Sequence, residues 1–413
     1  MTQTQFKHTE LGPIPEHWEV RKLKYVLQLR KKIVGVDAKQ YDLLSLTLKG
    51  VIKRDMENPT GKFPTTFDSY QEVNENDFIF CNFDNEETPR AVGLSPYRGM
   101  ITGAYDVLHR IDAQCNDRFL LYYFLWIDDV KRFKPLYKGL RKTIPLDSFL
   151  SYKLPIPPLS EQQAIVAYLD EQTGKIDQAI EREQKMIDLL NERKQIIIQQ
   201  AVTKGLHNDT SNWKIQRLGT LGTFSKGGNI SRDNLDDEGS KNAILYGDIY
   251  TKYFVRVTDV KNHISESTAN GSVRIQNGDI LMTGSGETKE DIGKTVIFKG
   301  EEAYIGGDVI LFRQKDNNGE FISYALNSQY AKDYRYRCSK GEIIVHIYPY
   351  ALKNMRISLP PNIEEQQKIV TYLDAKMEAI DRAIEAREKL IFLLQERKQI
   401  IINEVVTGKI KVS

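Results

Sequence analysis

The sequence lacks the residue patterns on which most catalytic and metal sites depend. Its three cysteines, Cys81, Cys115 and Cys338, are far apart and form no CxxC pair, so we interpret them as free thiols of a reducing compartment. HExxH is absent, and the segment 286–295 has Thr288 where a phosphate-binding loop requires its first glycine. These absences predict a binding protein, not an enzyme, with no metal or cofactor held by the chain itself.

Long apolar runs and a strong charge of one sign are also missing. No apolar stretch approaches the ~18 residues of a membrane span. The N-terminus lacks the basic and apolar parts of a signal peptide, so we expect a cytoplasmic protein. Residues 1–150 carry 22 Lys+Arg against 20 Asp+Glu, and residues 207–360 carry 20 against 19. Because many DNA-binding proteins are clearly basic, this balance neither supports nor excludes DNA, and any basic surface must be local.

The sequence does contain a long internal duplication. Residues 161–203 recur as residues 365–407 at a constant offset of 204, with 26 of 43 positions identical. Each copy follows a larger and much more divergent unit. We therefore predict four parts, which are large units at 1–153 and 207–357 and spacer segments at 154–206 and 358–413.

Both copies of the repeat fit a heptad frame. Apolar residues recur at the a and d positions, as in a coiled-coil seam. Forty-odd residues at ~1.5 Å each predict helices of roughly 60 Å. A helix of that length with an apolar stripe requires a partner, and its own duplicate is the obvious one. The isoleucine triplets 196–198 and 400–402 are wider than a narrow seam, so they either pack on the large units or dock another protein.

The two large units share a common skeleton. A turn and apolar strand at 76–80 matches 278–282, the segment 106–108 matches 308–310, and a helix-like segment at 119–122 matches 321–324. Short strands, glycine turns and short helices without regular βαβ alternation predict mixed α/β units. The predicted fold class is therefore α+β.

The whole pattern resembles the specificity subunits of type I restriction-modification systems. The resemblance depends on the proline joint and EQQ run at 154–165, its second copy at 359–369, and the Tyr-Leu-Asp triplets at 168–170 and 372–374. Glu-Arg-Lys-Gln at 192–195 and 396–399, and Pro15-Glu16-His17-Trp18 near the N-terminus, belong to the same signature. The resemblance covers essentially the whole chain.

This resemblance implies a function and a set of partners. The large units would be target recognition domains in a pseudo-two-fold arrangement, each reading one half of a bipartite, asymmetric site in double-stranded DNA. The two helices would form an antiparallel coiled coil that sets the spacer. Modification subunits, two copies expected, would bring S-adenosylmethionine for adenine-N6 methylation, and restriction subunits would bring ATP and Mg for translocation and cleavage.

Individual DNA-contacting residues are harder to predict, because polar and basic residues are also common on solvated surfaces. Base and phosphate contacts favour Arg, Lys, Asn, Ser and Thr on loops, and glycines where backbone approaches closely. The candidates in the first large unit are Arg30, Lys31, Lys32, Thr47, Lys49, Lys138, Arg141 and Lys142. Those in the second are Ser225, Lys226, Gly227, Gly228, Asn229, Thr283, Ser285 and Lys340.

Two other classes of protein remain open from the residues alone. One is a stand-alone DNA-binding regulator with duplicated reader domains, which would bind DNA tightly without a partner. The other is a coiled-coil scaffold protein, for which large glycine-turn domains would be unusual. A partner with adenine-methyltransferase motifs would favour the restriction-modification reading over both.

Overall fold

The computed structural model describes residues 5–9, 11–56 and 64–412. These residues divide into two compact units, of which unit 1 comprises Met1–Glu183 with Lys389–Ser413 and unit 2 comprises Gln184–Glu388. Each unit therefore combines one large part of the duplication with half of each repeated helix. The large part is called lobe 1 (residues 5–156) or lobe 2 (residues 213–359) below.

Lobe 1 is built on a four-stranded antiparallel sheet. The lobe as a whole contains the strands β1 (Phe6–Thr9), β2 (Gly12–Pro15), β3 (Glu19–Lys22), β4 (Leu27–Leu29), β5 (Leu44–Thr47), β6 (Gly50–Lys53), β7 (Gln71–Val73), β8 (Phe78–Phe80), β9 (Val92–Leu94), β10 (Gly99–Ile101), β11 (Asp106–Arg110) and β12 (Lys153–Ile156). The central sheet has the order β4-β11-β8-β9, and β3 pairs with β12. Helices α1 (Asp117–Asp129) and α2 (Leu146–Ser151) cover it, and the long helix α3 (Leu159–Lys204) follows.

Lobe 2 repeats this plan with a five-stranded central sheet and adds a four-stranded sheet. Its strands are β13 (Lys214–Arg217), β14 (Gly222–Lys226), β15 (Lys241–Ile244), β16 (Arg256–Val257), β17 (Asn262–Ile264), β18 (Val273–Gln276), β19 (Ile280–Thr283), β20 (Ser285–Gly286), β21 (Thr295–Phe298), β22 (Glu302–Ile305), β23 (Val309–Gln314), β24 (Val345–His346) and β25 (Arg356–Leu359). Its helices are α4 (Leu218–Leu221), α5 (Tyr246–Thr251), α6 (Glu266–Asn270), α7 (Gly319–Leu326), α8 (Gln329–Cys338) and α9 (Pro349–Lys353), and the long helix α10 (Ile363–Val406) follows. The sheets are β14-β23-β19-β21-β16 and β17-β15-β22-β18.

The predicted skeleton of the lobes is confirmed. The matched turn-and-strand segments form β8 and β19, the next matched segments lie in β11 and β23, and the helix-like segments lie in α1 and α7. In both lobes the first of these strands pairs antiparallel with the second. Mixed α/β content without βαβ alternation is therefore what the fold contains.

The proline-rich segment after each lobe, predicted as a rigid joint, lies in a strand or directly follows one. Leu154 to Ile156 lie in β12, which pairs with β3, and the corresponding β25 pairs with β13. Proline can occupy such a strand because a two-stranded ribbon leaves edge positions whose N–H has no partner to serve. The chain therefore closes each lobe before it enters the long helix.

The heptad prediction is confirmed by burial. None of the predicted a and d positions of α3 and α10 is fully exposed, and most of the aliphatic ones are buried, Leu169 and Leu373 completely. Within each isoleucine triplet the exposure of the side chains differs. Ile198 and Ile402 are buried, whereas Ile196 and Ile400 are about half exposed at 55% and 54%.

The start of α3 and the end of α10 pack together inside unit 1. Ile165, Leu169, Ile402 and Val405 belong to the same core cluster as the aromatic side chains of lobe 1. Further along α3, Asp177 accepts from Lys398 at 2.6 Å, so the two segments run antiparallel. Unit 2 contains the same ion pair shifted by 204 residues.

In unit 2 this counterpart joins Lys194 to Asp381.

No helix among the described residues is both long and apolar enough to cross a membrane. The cysteines are free thiols, and burial raises the pKa of Cys115 to about 12.

Candidate nucleic-acid interface

Each repeated helix is joined to its own lobe by the same contacts. In unit 1 the indole N–H of Trp18 donates to Glu161 at 3.2 Å, and Trp18 is 1% exposed. In unit 2 Trp213 donates to Glu365 at 2.9 Å. Glu161 and Glu365 are counterparts in the duplication, so the first residue of the EQQ motif anchors a tryptophan twice.

The second residue of the motif closes the start of a lobe helix. Gln162 has no exposed surface, and its amide oxygen accepts from the N–H of Asn116, the N-cap of α1, at 2.7 Å. Its amide nitrogen donates to the carbonyl of Gln114 at 2.9 Å. In unit 2 Gln366 accepts from Asn318, the N-cap of α7, at 2.7 Å.

The aspartate of the Tyr-Leu-Asp triplet holds the same lobe helix about two turns further on. Asp170 accepts from the hydroxyl of Tyr122 at 2.6 Å, and Asp374 accepts from Tyr324 at 2.6 Å. Burial and the hydrogen bond to Asp170 raise the pKa of Tyr122 to about 12. Each phenol is therefore a permanent donor at neutral pH.

A guanidinium completes this contact in both units, but it comes from different places in the chain. Arg118 pairs with Asp170 and lies 5.8 Å from the ring centroid of Tyr122. The counterpart of Arg118 is Glu320, and Arg256 of lobe 2 binds Glu320 and Asp374 instead. Although burial alone would lower it, these two carboxylates hold the pKa of Arg256 above its usual value. The lobes have thus diverged while preserving these contacts between lobe and helix, which are called the joint below.

The repeated motif is therefore structural. Its glutamate, glutamine and aspartate side chains are all used to hold a lobe on its helix. The residues predicted to contact DNA lie instead on the divergent parts of the lobes.

The three basic candidates after β4 differ in whether a carboxylate of the protein already pairs with them. The Nε of Arg30 lies 2.8 Å from a carboxylate oxygen of Asp77, whose side chain is only 2% exposed. Burial raises the pKa of Asp77, and Arg30 opposes that effect, so Arg30 serves mainly to neutralise a buried acid. Lys31 is exposed, and the exposed Lys32 pairs with Glu72 at 2.6 Å, which lowers the pKa of that carboxyl.

Thr47 is the last residue of β5, and Lys49 lies in the turn that leads to β6. The hydroxyl of Thr47 donates to the carbonyl of Gly50 at 2.9 Å and accepts from the amide of Lys49 at 3.1 Å. Thr47 therefore shapes the turn. Lys49 projects from it and is exposed, together with Leu48.

The three basic candidates 138, 141 and 142 share one loop. Lys138 is exposed, whereas Arg141 pairs with Asp84 at 2.8 Å and Lys142 pairs with Glu86. Both carboxylates belong to the segment that follows β8. Because these carboxylates partly neutralise Arg141 and Lys142, Lys138 is the candidate best placed to contact a phosphate.

In lobe 2 the predicted role of the glycine pair after β14 is wrong. The N–H groups of Gly227 and Gly228 donate to the carbonyls of Val309 and Ile305, at 2.8 and 2.9 Å, so neither is available to a phosphate. A Cβ on Gly227 would lie 1.9 Å from the carbonyl oxygen of Gly306. The glycines are required by this close approach of two backbones. The adjacent Ser225, Lys226 and Asn229 are exposed.

Thr283 and Ser285 are also corrected by burial. Thr283 has no exposed surface, and its hydroxyl donates to Tyr250 at 2.8 Å. Ser285 is 4% exposed, and its hydroxyl contacts Asp308 at 3.0 Å and His346 at 2.9 Å. Both side chains hold the end of β19 in place and do not face a ligand.

Lys340 lies in a group of basic and aromatic side chains that sequence reasoning missed. Its backbone pairs with His346, whose ring centroid is 6.3 Å from that of Tyr348. Lys226 lies 5.6 Å from the same tyrosine ring, which stacks on Tyr350 at 5.8 Å. Such mixed groups suit nucleic acid, because cations meet phosphates and rings meet bases. The Tyr-Pro-Tyr run at 348–350 was the available signal.

Comparison with known proteins finds similarity to a single family along most of the chain. A family model described as the type I restriction modification DNA specificity domain matches residues 101–188 and 210–390. The putative type I restriction enzyme MjaX specificity subunit of Methanocaldococcus jannaschii is 24% identical over 451 aligned positions, covering 99% of this chain and 97% of that protein. The putative type I specificity subunit S.HindORF215P of Haemophilus influenzae is 28% identical over 277, covering 65% of this chain and 66% of that protein.

Solved structures show the same fold. A chain from a study of complex assembly and conformational transition of the type I R-M system has a TM-score of 0.71 at 16% identity, covering 96% of this chain and 99% of that one. The HsdS subunit from Thermoanaerobacter tengcongensis has a TM-score of 0.50 at 17% identity, covering 98% of this chain and 100% of that one. The chain belongs to the family of type I restriction-modification DNA specificity subunits.

Proposed function

We propose that lobe 1 and lobe 2 each read one half of a bipartite, asymmetric site in double-stranded DNA. The observation that carries this proposal is the repeated joint, which holds two lobes in the same way while their surfaces differ. Two unlike surfaces on equivalent supports favour two unlike half-sites. Lys138 and Lys340, the counterparts in the two lobes, are the basic residues we place nearest the DNA.

Protection footprinting tests the assignment of half-sites. With the assembled complex, Lys138→Gln is expected to weaken protection of one half-site and Lys340→Gln that of the other, because each removes one cation from one lobe. Each should also reduce the salt slope of binding by about one. Lys24→Gln and Lys214→Gln, at exposed lysines elsewhere on lobes 1 and 2, are the controls. Equal weakening of both halves by a single substitution would refute the assignment.

We also propose that α3 and α10 form an antiparallel coiled coil that separates the two lobes. The antiparallel segments and the duplicated ion pairs within the units support it. Helices of 46 and 44 residues reach roughly 65–70 Å, or about two turns of duplex. The unread spacer between the half-sites would follow from this length.

The outer face of each helix offers a docking surface for a modification subunit. An exposed apolar stripe runs along Met186, Leu189 and Ile196 of α3, and its exact counterpart along Leu390, Leu393 and Ile400 of α10. The spacing of three and seven residues places each set on one helix face. Two equal stripes favour two copies of the same partner.

Size measurement of the complex tests the stripes. Leu189→Glu is expected to remove one modification subunit, Leu393→Glu the other, and the double variant both, because a buried carboxylate at the centre of an interface is strongly unfavourable. Asn191→Glu and Gln395→Glu, exposed positions away from the stripe, provide matched controls. Full assembly of the double variant would exclude these stripes as the docking surface.

The chemistry is assigned to the partners. Methylation would use S-adenosylmethionine on the modification subunits, and translocation and cleavage would use ATP and Mg on the restriction subunits. The present chain would contribute sequence choice and geometry alone. Equilibrium dialysis of the purified chain against S-adenosylmethionine should find no binding until modification subunits are added.

A further inference from the structure

One loop in each lobe ends in a large aliphatic side chain that is almost fully exposed. Leu140, in the loop 138–143, is 102% exposed relative to the free residue, and Ile343, in the loop 340–346, is 90% exposed. These segments are called tip loop 1 and tip loop 2. Ile344, beside Ile343, is 57% exposed. Exposure to the degree seen at Leu140 and Ile343 leaves the whole apolar side chain in water.

The two tip loops are structural counterparts. After tip loop 1 the amide of Ile144 donates to the carbonyl of Asn82, which follows β8, at 2.8 Å. After tip loop 2 the amide of Ile347 donates to Gly284, which follows β19, at 2.9 Å. The two loops are thus anchored at the ends of equivalent strands, β8 in lobe 1 and β19 in lobe 2. Divergence between the lobes has altered the sequence of each loop and kept an aliphatic residue at its tip.

Backbone hydrogen bonds also close the base of each loop. Lys138 and Thr143 exchange two of them, at 2.9 and 3.0 Å, and Lys340 and His346 exchange two, at 2.9 and 2.7 Å. A tip held on a closed base loses little conformational freedom on binding. The tips are therefore prepared for insertion.

Both tip loops lie at the end of the central sheet away from the helix joint. Strand β11 runs from Asp106, which binds Asn82 beside tip loop 1, towards Asn116 at the joint. Strand β23 runs the same way, from Asp308 beside Ser285 towards the joint at Asn318. The tips are thus remote from the part of each lobe that the long helices occupy.

The surroundings of the tips favour DNA as the occupant. Lys138, Arg141 and Lys142 flank Leu140, although two of them are paired with carboxylates. Around tip loop 2 are Lys340, Lys226, His346 and the Tyr348–Tyr350 stack, against the exposed Glu342. Cations that can contact DNA phosphates, placed beside a projecting aliphatic side chain, suit a DNA duplex better than they suit a flat protein surface.

An aliphatic side chain has no means of binding a phosphate, so the tips must meet bases. Apolar side chains at such positions enter between neighbouring base pairs and partly unstack them, or contact a thymine methyl group. We propose that Leu140 and Ile343 each insert at a base step, one in each half-site. This inference rests on the proposed assignment of one half-site to each lobe.

The test uses the specificity chain assembled with its modification subunits and a duplex of the recognised sequence. 2-Aminopurine is placed at successive positions of each half-site other than the methylated adenine, since that base is expected to be flipped out. The complex is expected to raise fluorescence at one step in each half. Leu140→Ala should abolish the rise in one half and Ile343→Ala in the other, with roughly tenfold weaker binding for each.

Salt dependence separates insertion from charge. Leu140→Ala should weaken binding equally at all salt concentrations, whereas Lys138→Gln should lower the salt slope by about one. Ile111→Ala and Ile215→Ala, at exposed aliphatic residues outside the tip loops, should change neither fluorescence nor affinity.

Unchanged fluorescence and affinity in both tip variants would overturn the inference, and so would loss of modification subunits, which would identify the tips as a protein contact. If two footprints persist while the tip variants behave like the parent, only the inference fails. If the parent complex gives no pair of footprints, the proposed half-site assignment fails first.

Discussion

Gln162→Leu is expected to lower the free energy of unfolding of unit 1 by about 3 kcal/mol, because it leaves three polar groups, one buried and two part-buried, without their hydrogen bonds to the glutamine. These are the amide of Asn116 and the carbonyls of Gln114 and Pro157, all within 2.9 Å of the Gln162 amide. Leucine has a similar volume, so the loss comes from hydrogen bonds and not from a cavity.

Urea unfolding followed by tryptophan fluorescence measures this loss. In a Trp213→Phe background the remaining tryptophans, Trp18 and Trp126, both report on unit 1. The neighbouring Gln163→Leu is the control, since Gln163 is exposed and should change stability by less than about 0.5 kcal/mol. If Gln162→Leu were as mild as Gln163→Leu, the joint would not hold lobe 1 on its helix.

Three heptads inserted after Glu183, and three at the equivalent point after Arg387, should lengthen the unread spacer by about one duplex turn. Twenty-one residues add ~31 Å to each helix, close to the ~34–36 Å of one turn. Whole heptads preserve the apolar seam. The first insertion point is the boundary between the units and the second lies one residue before the other boundary, so nearly all contacts inside each unit are retained.

A single heptad at both points is the matched control. It preserves the same seam but adds only ~10 Å, which turns one half-site away from its lobe by roughly a third of a duplex turn. We therefore expect methylation to survive with three heptads, at a longer spacing, and to be lost with one. Methylation of the original spacing by the three-heptad protein would contradict the role of the helices as a spacer.

The helices and the joint signature could be predicted from sequence because their physics is local and repeated. Periodicity alone identified the positions of α3 and α10 that are withdrawn from solvent, such as Leu169 and Leu373. Two copies of one pattern also revealed which residues were shared. What each did, such as Gln162 capping a helix 46 residues away, depended on tertiary contact.

The accessibility of the candidate DNA-contacting residues was less predictable, because it also depends on tertiary contacts. Arg30 is held by Asp77, 47 residues away, and the glycine pair at 227–228 is fitted against Gly306. The strand containing Thr283 is buried on both faces, so alternation along it could not distinguish an inward from an outward residue. Conversely, Leu140 looked like an ordinary apolar residue until its exposure was known.

The most direct test of the account is an exchange of lobe 1 followed by methylome sequencing. Residues 19–156 would be replaced by those of a family member that keeps an asparagine and a tyrosine where Asn116 and Tyr122 stand, so that the joint is retained. In cells carrying the intact system, we predict that one half of the methylated motif changes while the other half and the spacing remain. A motif that stays unchanged, or changes in both halves, would contradict the account.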